Sequence, residues 1–240
     1  MLLANHECTI DRMGSAAGRV AVPNPGAATP AITDHPGAAT PAITDRRLLR
    51  GARTRQMVLR QAVDVASMEG LEGLSFGRLA ADTGLSKAGI QTLFRTKENL
   101  QLASIAYARE LFIDVVTRPA RSQPPGVARL RALVENWIAY AEAPLFEGGC
   151  FRAANLAQYD SRPGAVRDAL LRDQHDWIAV IATELRNAVA AGEIEKLDVD
   201  LVAFQIDAIL CATNTALRLG EAGAVDRARR IVEGFLRPPR

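Results

Sequence analysis

The feature that most constrains this chain is a spacing. In the run Ser75-Phe76-Gly77-Arg78-Leu79-Ala80-Ala81-Asp82-Thr83-Gly84-Leu85-Ser86-Lys87-Ala88-Gly89-Ile90, Ala80, Gly84 and Ile90 stand at relative positions 0, 4 and 10. Two short helices joined by a tight turn require that order. The small residue lets the second helix cross closely, and the glycine closes the first helix where the chain needs positive φ. Ser86 then caps the new helix, and Ile90 drops into the shared core. A turn this short leaves the second helix projecting, shaped to enter a DNA major groove.

Charge follows the same segment. Residues 46–97 hold ten Lys/Arg against four Asp/Glu, residues 1–45 two against four, and residues 98–240 seventeen against nineteen. The basic excess is therefore local, as expected for a footprint on phosphate. Cys8, Cys150 and Cys211 are far apart and form no CxxC. With no secretory segment, this indicates a reducing cytoplasm and a soluble protein with no membrane association. Only His6, His35 and His175 are present, too scattered for a metal cluster. No nucleophile elbow, zinc-protease, phosphate-loop or dinucleotide motif is found, so neither catalysis nor a cofactor is expected.

Residues 24–45 are two copies of an 11-residue unit, Asn24-Pro25-Gly26-Ala27-Ala28-Thr29-Pro30-Ala31-Ile32-Thr33-Asp34 and its repeat with His35 first. Proline and glycine preclude a helix there, and the apolar residues are too small to build a core. Residues 1–45 read as a disordered extension, functional or an artefact of duplication or of an over-long start, with Met13 as another start. From Arg46 onward helical periodicity dominates. Val58, Ala62, Val65 and Ala66 form the first stripe. Ser75, Ser86 and Thr96 are the expected caps of the next three helices, the last running to about Thr117. Further helices are expected over about 126–143, as a short segment reaching Tyr159, from near Pro163 to Gly192, and over about 199–219. The last of these is apolar on nearly all sides, with Asp207 expected at its rim, and such a helix is buried on more than one side.

The first helix, Ser75…Leu79-Ala80, Gly84-Leu85-Ser86, Gly89-Ile90, Phe94 and Thr96-Lys97-Glu98…Leu100 together resemble the TetR/AcrR family of transcriptional repressors, closely over roughly residues 53–102. The resemblance implies an all-α chain: a three-helix DNA-binding domain over 46–100 and a helical regulatory and dimerisation domain over 101–240. It implies a ligand-responsive repressor acting as a homodimer on an inverted repeat in double-stranded DNA. Family members commonly carry Tyr and His where this chain has Gln91 and Leu93. That departure keeps a second reading open, a helical ligand-binding or adaptor protein that no longer meets DNA.

On the first reading, Lys87, Ala88, Gly89, Gln91 and Thr92 face the groove. Lys87 reaches guanine or phosphate, and Gln91 is suited to adenine or phosphate. Lys97 holds a phosphate beside the N-terminal amides of its helix. Arg53, Arg55, Ser75 and Arg78 contribute backbone contacts, or else are ordinary surface groups. The resemblance also implies a pocket for a small apolar or amphipathic molecule. Trp137, Tyr140, Phe151, Asn155, Tyr159 and Trp177 are its candidate lining, with Phe146, Gln158 and His175 as further candidates. Aromatic side chains at helical spacing are equally read as core.

Overall fold

The computed structural model describes residues 46–143 and 145–239, so the expectation for residues 1–45 lies outside the described residues. The described elements are all helical. Helix α1 (Arg46–Glu69) buries Val58, Leu59, Ala62, Val63, Val65 and Ala66 along one face. Gly70, at φ 78°, ends it and leads into a single 3-10 turn over Leu71–Gly73. Helices α2 (Phe76–Thr83) and α3 (Lys87–Phe94) form the helix-turn-helix. Helix α4 (Lys97–Phe112) passes through residue 100 without a break, widens into a π-helical turn over Ile113–Thr117, and ends in the short α5 (Arg118–Ala120). The expected end near Thr117 is thus met by a helix whose last part is underwound, its bonds closing i→i+5 in place of i→i+4.

The remainder is α6 (Val127–Glu142), α7 (Phe151–Tyr159), α8 (Ala165–Ala190), α9 (Val199–Arg218) and α10 (Ala224–Phe235). Helix α8 does not take Pro163 into its first turn. It is preceded by Gly164, whose φ of 144° lies outside the helical range and delays the start to Ala165. One continuous apolar core joins α1–α4 to the later helices, from Leu71 and Ile90 through Phe112 to Trp177 and Leu210.

Helix α9 corrects one expectation. Asp207 is not at a rim; it is 4% exposed and accepts a hydrogen bond from Gln174 Nε2 of α8 at 3.1 Å. Burial raises its carboxyl pKa, opposed by that bond and by the Arg152 charge. Thr213 and Asn214 are buried on the same helix. Helix α9 is long and apolar enough to cross a membrane, with mean hydropathy 1.2, yet this polar stripe is packed inside the fold. Its opposite face is bare: Leu201, Phe204 and Leu219 are 53%, 61% and 72% exposed.

The end of α1 is gripped by the segment leading into and through α7. Asn155, wholly buried, accepts from the Leu71 N–H at 2.7 Å and donates to the Ala66 carbonyl at 3.2 Å and the Phe151 carbonyl at 2.8 Å. The Gly148 N–H donates to Ser67 Oγ at 2.9 Å. A Cβ on Gly148 would collide with the Ser67 backbone, so only glycine permits this approach.

Candidate nucleic-acid interface

Local chemistry builds the head as the sequence indicates. Ser75 Oγ accepts from the Arg78 N–H, Ser86 Oγ from the Gly89 N–H, and Thr96 Oγ1 from the Asn99 N–H, each at 3.1 Å. Each satisfies one of the donors that a helix start leaves unpaired. Gly84 closes α2 in the left-handed region at φ 69°, ψ 13°. Leu79, Ile90 and Phe94 are buried beneath α2 and α3, and Leu93 packs partly against them.

With those residues turned inward, α3 presents Lys87, Ala88, Gly89, Gln91 and Thr92, all exposed. Ala88 and Gly89 leave the helix surface low, so a duplex can come close. The Thr92 hydroxyl donates to the Ala88 carbonyl at 2.9 Å, which leaves its oxygen as the outward polar atom. Arg95, at the end of α3, adopts φ 66° with its N–H bonded to the Gln91 carbonyl at 2.7 Å. Its side chain is exposed and, among the described residues, has no ion-pair or hydrogen-bond partner, as is also true of Arg53 and Lys87. Arg95 is a candidate contact that motif reading passes over, because only the backbone turn reveals where it stands.

Other candidate cations are engaged within the chain. Arg55 Nη1 donates to the Leu93 carbonyl at 3.2 Å and its guanidinium lies 4.5 Å from the Phe94 ring centre, which ties α1 to the end of α3. Arg78 pairs with Glu69 and, at 3.5 Å, with Asp82. Lys97 Nζ donates to the Glu72 carbonyl at 2.8 Å and lies 3.3 Å from Glu72 Oε2. Glu72 is the centre of a cluster, since Tyr159 Oη donates to its Oε1 at 2.9 Å and Arg162 stands 3.3 Å away. The Tyr159 bond, then Lys97 and Arg162, hold the Glu72 carboxyl below its ordinary pKa against partial burial, while burial and the Glu72 charge push the Tyr159 phenol up. Gln101 Nε2 completes the cluster by donating to Tyr159 Oη at 3.0 Å and to the Leu71 carbonyl at 2.9 Å.

The candidate pocket residues divide. Trp137, Tyr140, Phe146 and Phe151 are buried, and Tyr140–Phe146 and Phe146–Phe151 meet edge to face at 6.1 and 6.3 Å. Asn155 is bound to α1 as described, and His175 is exposed. Tyr159 borders a cavity of about 390 Å³ between α7 and α8, near the Gln158 side chain that bonds the Glu72 N–H. Trp177 borders another of about 150 Å³ between α4 and α8. That second space adjoins one of about 290 Å³, with Thr117, Arg121, Asp176 and Val180 in both walls.

Comparison with known proteins places this geometry. Residues 126–232 match the family model described as "Tetracyclin repressor-like, C-terminal domain". A TetR transcriptional regulator from Chloroflexus aurantiacus J-10-FL is similar at 27% identity and a TM-score of 0.72, over 78% of this chain and 96% of that one. A putative transcriptional regulator from Saccharomonospora viridis, solved in complex with choline, shares the fold at 20% identity and a TM-score of 0.67, over 77% and 95% of the two chains. AibR, solved in complex with isovaleryl coenzyme A and operator DNA, shares it at 20% identity and a TM-score of 0.62, over 77% and 98%. No curated protein matches the chain.

Proposed function

We propose a function from the premise that this chain belongs to the TetR family of transcriptional regulators: it is a ligand-responsive repressor that binds an inverted-repeat operator as a homodimer. It acts in the cytoplasm and catalyses no reaction. The observation that carries the reading is the outward row on α3, Lys87, Ala88, Gly89, Gln91 and Thr92, low in profile and without a competing salt bridge among the described residues. Lys87, Gln91 and Thr92 read base edges, while Arg53, Arg95 and Lys97 meet phosphate.

The bare face of α9 supports the dimer. Leu201, Phe204, Ala208, Ala212 and Leu219 are exposed there, with Ile231 of α10 beside them at 45%. A continuous apolar face of this kind marks an interface on soluble proteins, and Ala208, Ala212 and Ala216 at i, i+4 and i+8 allow a twofold-related helix to approach closely. Two recognition helices then read half-sites about one DNA turn, roughly 34 Å, apart. A small apolar or amphipathic molecule that favours a different separation releases the operator by linkage. A structural neighbour solved with both operator DNA and a small ligand supports the pairing of those two activities in this fold.

Selection of random duplexes by the purified full-length chain tests the reading. The expected product is a pair of inverted half-sites whose centres lie about 10 base pairs apart. Selected sequences without dyad symmetry would refute the dimeric repressor. Failure to shift any duplex at low salt would favour the ligand-binding or adaptor reading that Gln91 and Leu93 keep open.

A further inference from the structure

The cavity between α4 and α8 has an unusual wall. Arg152, in the first turn of α7, is 6% exposed and borders that cavity. Its Nε donates to Asp173 Oδ2 at 2.8 Å, and its guanidinium lies 4.9 Å from the Phe112 ring centre. Among the described residues it makes no other hydrogen bond, so its terminal amino groups are left to the cavity. Those amino groups are not sealed off, so water or a ligand in the cavity can accept from them. Asp173 is not free to do more, because its other oxygen lies 3.3 Å from Arg109, which also binds Asp176 at 2.7 Å. Arg121 at the cavity mouth is exposed and unpaired among the described residues. Phe112, Ile113, Trp177 and Val180 give the cavity an apolar strip, while Thr117 and the Arg109-paired carboxylates Asp173 and Asp176 complete its lining, so three arginines face two carboxylates there.

An arginine fork presented beside an apolar strip matches the planar, two-oxygen geometry of a carboxylate. Together with its 290 Å³ neighbour, the slot enters the size range of small-molecule sites, about 300–1,000 Å³. We propose that this cavity binds a small amphipathic acid, its carboxylate on Arg152 and its apolar body along Phe112, Ile113, Trp177 and Val180. The proposal rests on the effector-responsive reading above and names the chemical class of the effector. It also supplies a route to the head. Arg152, Asn155 and Tyr159 stand at i, i+3 and i+7, one stripe of α7, so the helix that takes the acid is the helix that holds Leu71 and Glu72.

Calorimetric titration of the full chain with straight-chain carboxylates from butyrate to octanoate, beside alcohols and amines of equal length, tests it. At least one acid is expected to bind tenfold or more tighter than its alcohol, and the amines not at all. Arg152→Gln should erase that preference. Because this change also strips Asp173 of one of its two arginine partners, Val180→Trp provides an independent block. It fills the slot without touching the ion pair, and should abolish acid binding while helical content and cooperative melting persist. No acid binding, equal binding of acid and alcohol, or undiminished binding to a folded Val180→Trp overturns the proposal. An acid that binds but leaves operator affinity unchanged refutes the effector-responsive reading alone. An amine that binds and releases operator refutes the acid and spares that reading.

Discussion

Replacing Asn155 with alanine measures how strongly α7 holds the head. The amide is wholly buried and makes three hydrogen bonds, but their loss is unequal. The Ala66 carbonyl keeps the Gly70 N–H at 3.1 Å, so it remains satisfied. Among the described residues the Leu71 N–H has only Asn155 Oδ1, and a buried donor stripped of its acceptor costs about 1–3 kcal/mol. Adding the void left by the amide gives a loss of roughly 2–4 kcal/mol. For a chain of this size each kcal/mol lowers the melting temperature by about 2–4 °C, so a fall of roughly 5–15 °C is expected. Asn155→Asp sharpens the test. It keeps the acceptor for Leu71 but turns a carboxylate oxygen toward two carbonyls, and should cost at least as much as alanine. Urea and thermal unfolding at one fixed protein concentration read both variants, since association would otherwise shift the midpoint. A loss below about 1 kcal/mol in the alanine variant, with Asp tolerated, would refute the assignment of Asn155 as the bond between α1 and α7.

Lys97→Ala should weaken binding to all duplexes alike and reduce the salt slope by about 1, whereas substitutions at Lys87 or Gln91 should change which bases are preferred in a selection. Ala212→Glu places a charge on the exposed α9 face, at a cost of several kcal/mol if that face is the seam. Sedimentation should then show a monomer without operator binding, and a folded variant that remains dimeric would move the interface elsewhere. Glu72 has a depressed pKa, so its contribution to stability is complete above its ordinary value of 4.5 and disappears as pH falls through the lower folded value. Glu72→Gln should therefore flatten the acid limb of a stability–pH curve below about pH 4.5, and an unchanged limb would count against the Tyr159 and Lys97 contacts.

What the sequence disclosed was local. Ser75, Ser86 and Thr96 each bond an amide three residues on, and Gly84 needs only its own φ, so a pattern within one turn was enough to identify the caps and the helix-turn-helix. What it withheld depends on distant partners. Lys97 meets Glu72 and Arg55 meets Leu93, 25 and 38 residues away, and no spacing rule anticipates such pairs. Asp207 looked like an interruption in an apolar helix because its partner, Gln174, sits on α8. Arg152 escaped notice altogether, since an arginine in a short helix gives no hint in sequence that the fold will enclose it.

The contact of Gly148 with the Ser67 backbone has a mechanical consequence. With Asn155 and Tyr159 gripping the next few residues, the end of α1 and the start of α7 have no room to slide or hinge against each other. They must travel as one rigid block. Any change in the angle of the recognition helix has to be absorbed elsewhere along the chain, and α4 contains the suitable compliant joint. Over Ile113–Thr117 its bonding ladder widens to the π pattern, a geometry that is rarely sustained beyond one turn. A single added residue in that turn makes it the place along the helix where the ladder can adjust, beside a buried Val116 whose carbonyl accepts from Asn136 of α6 at 3.0 Å.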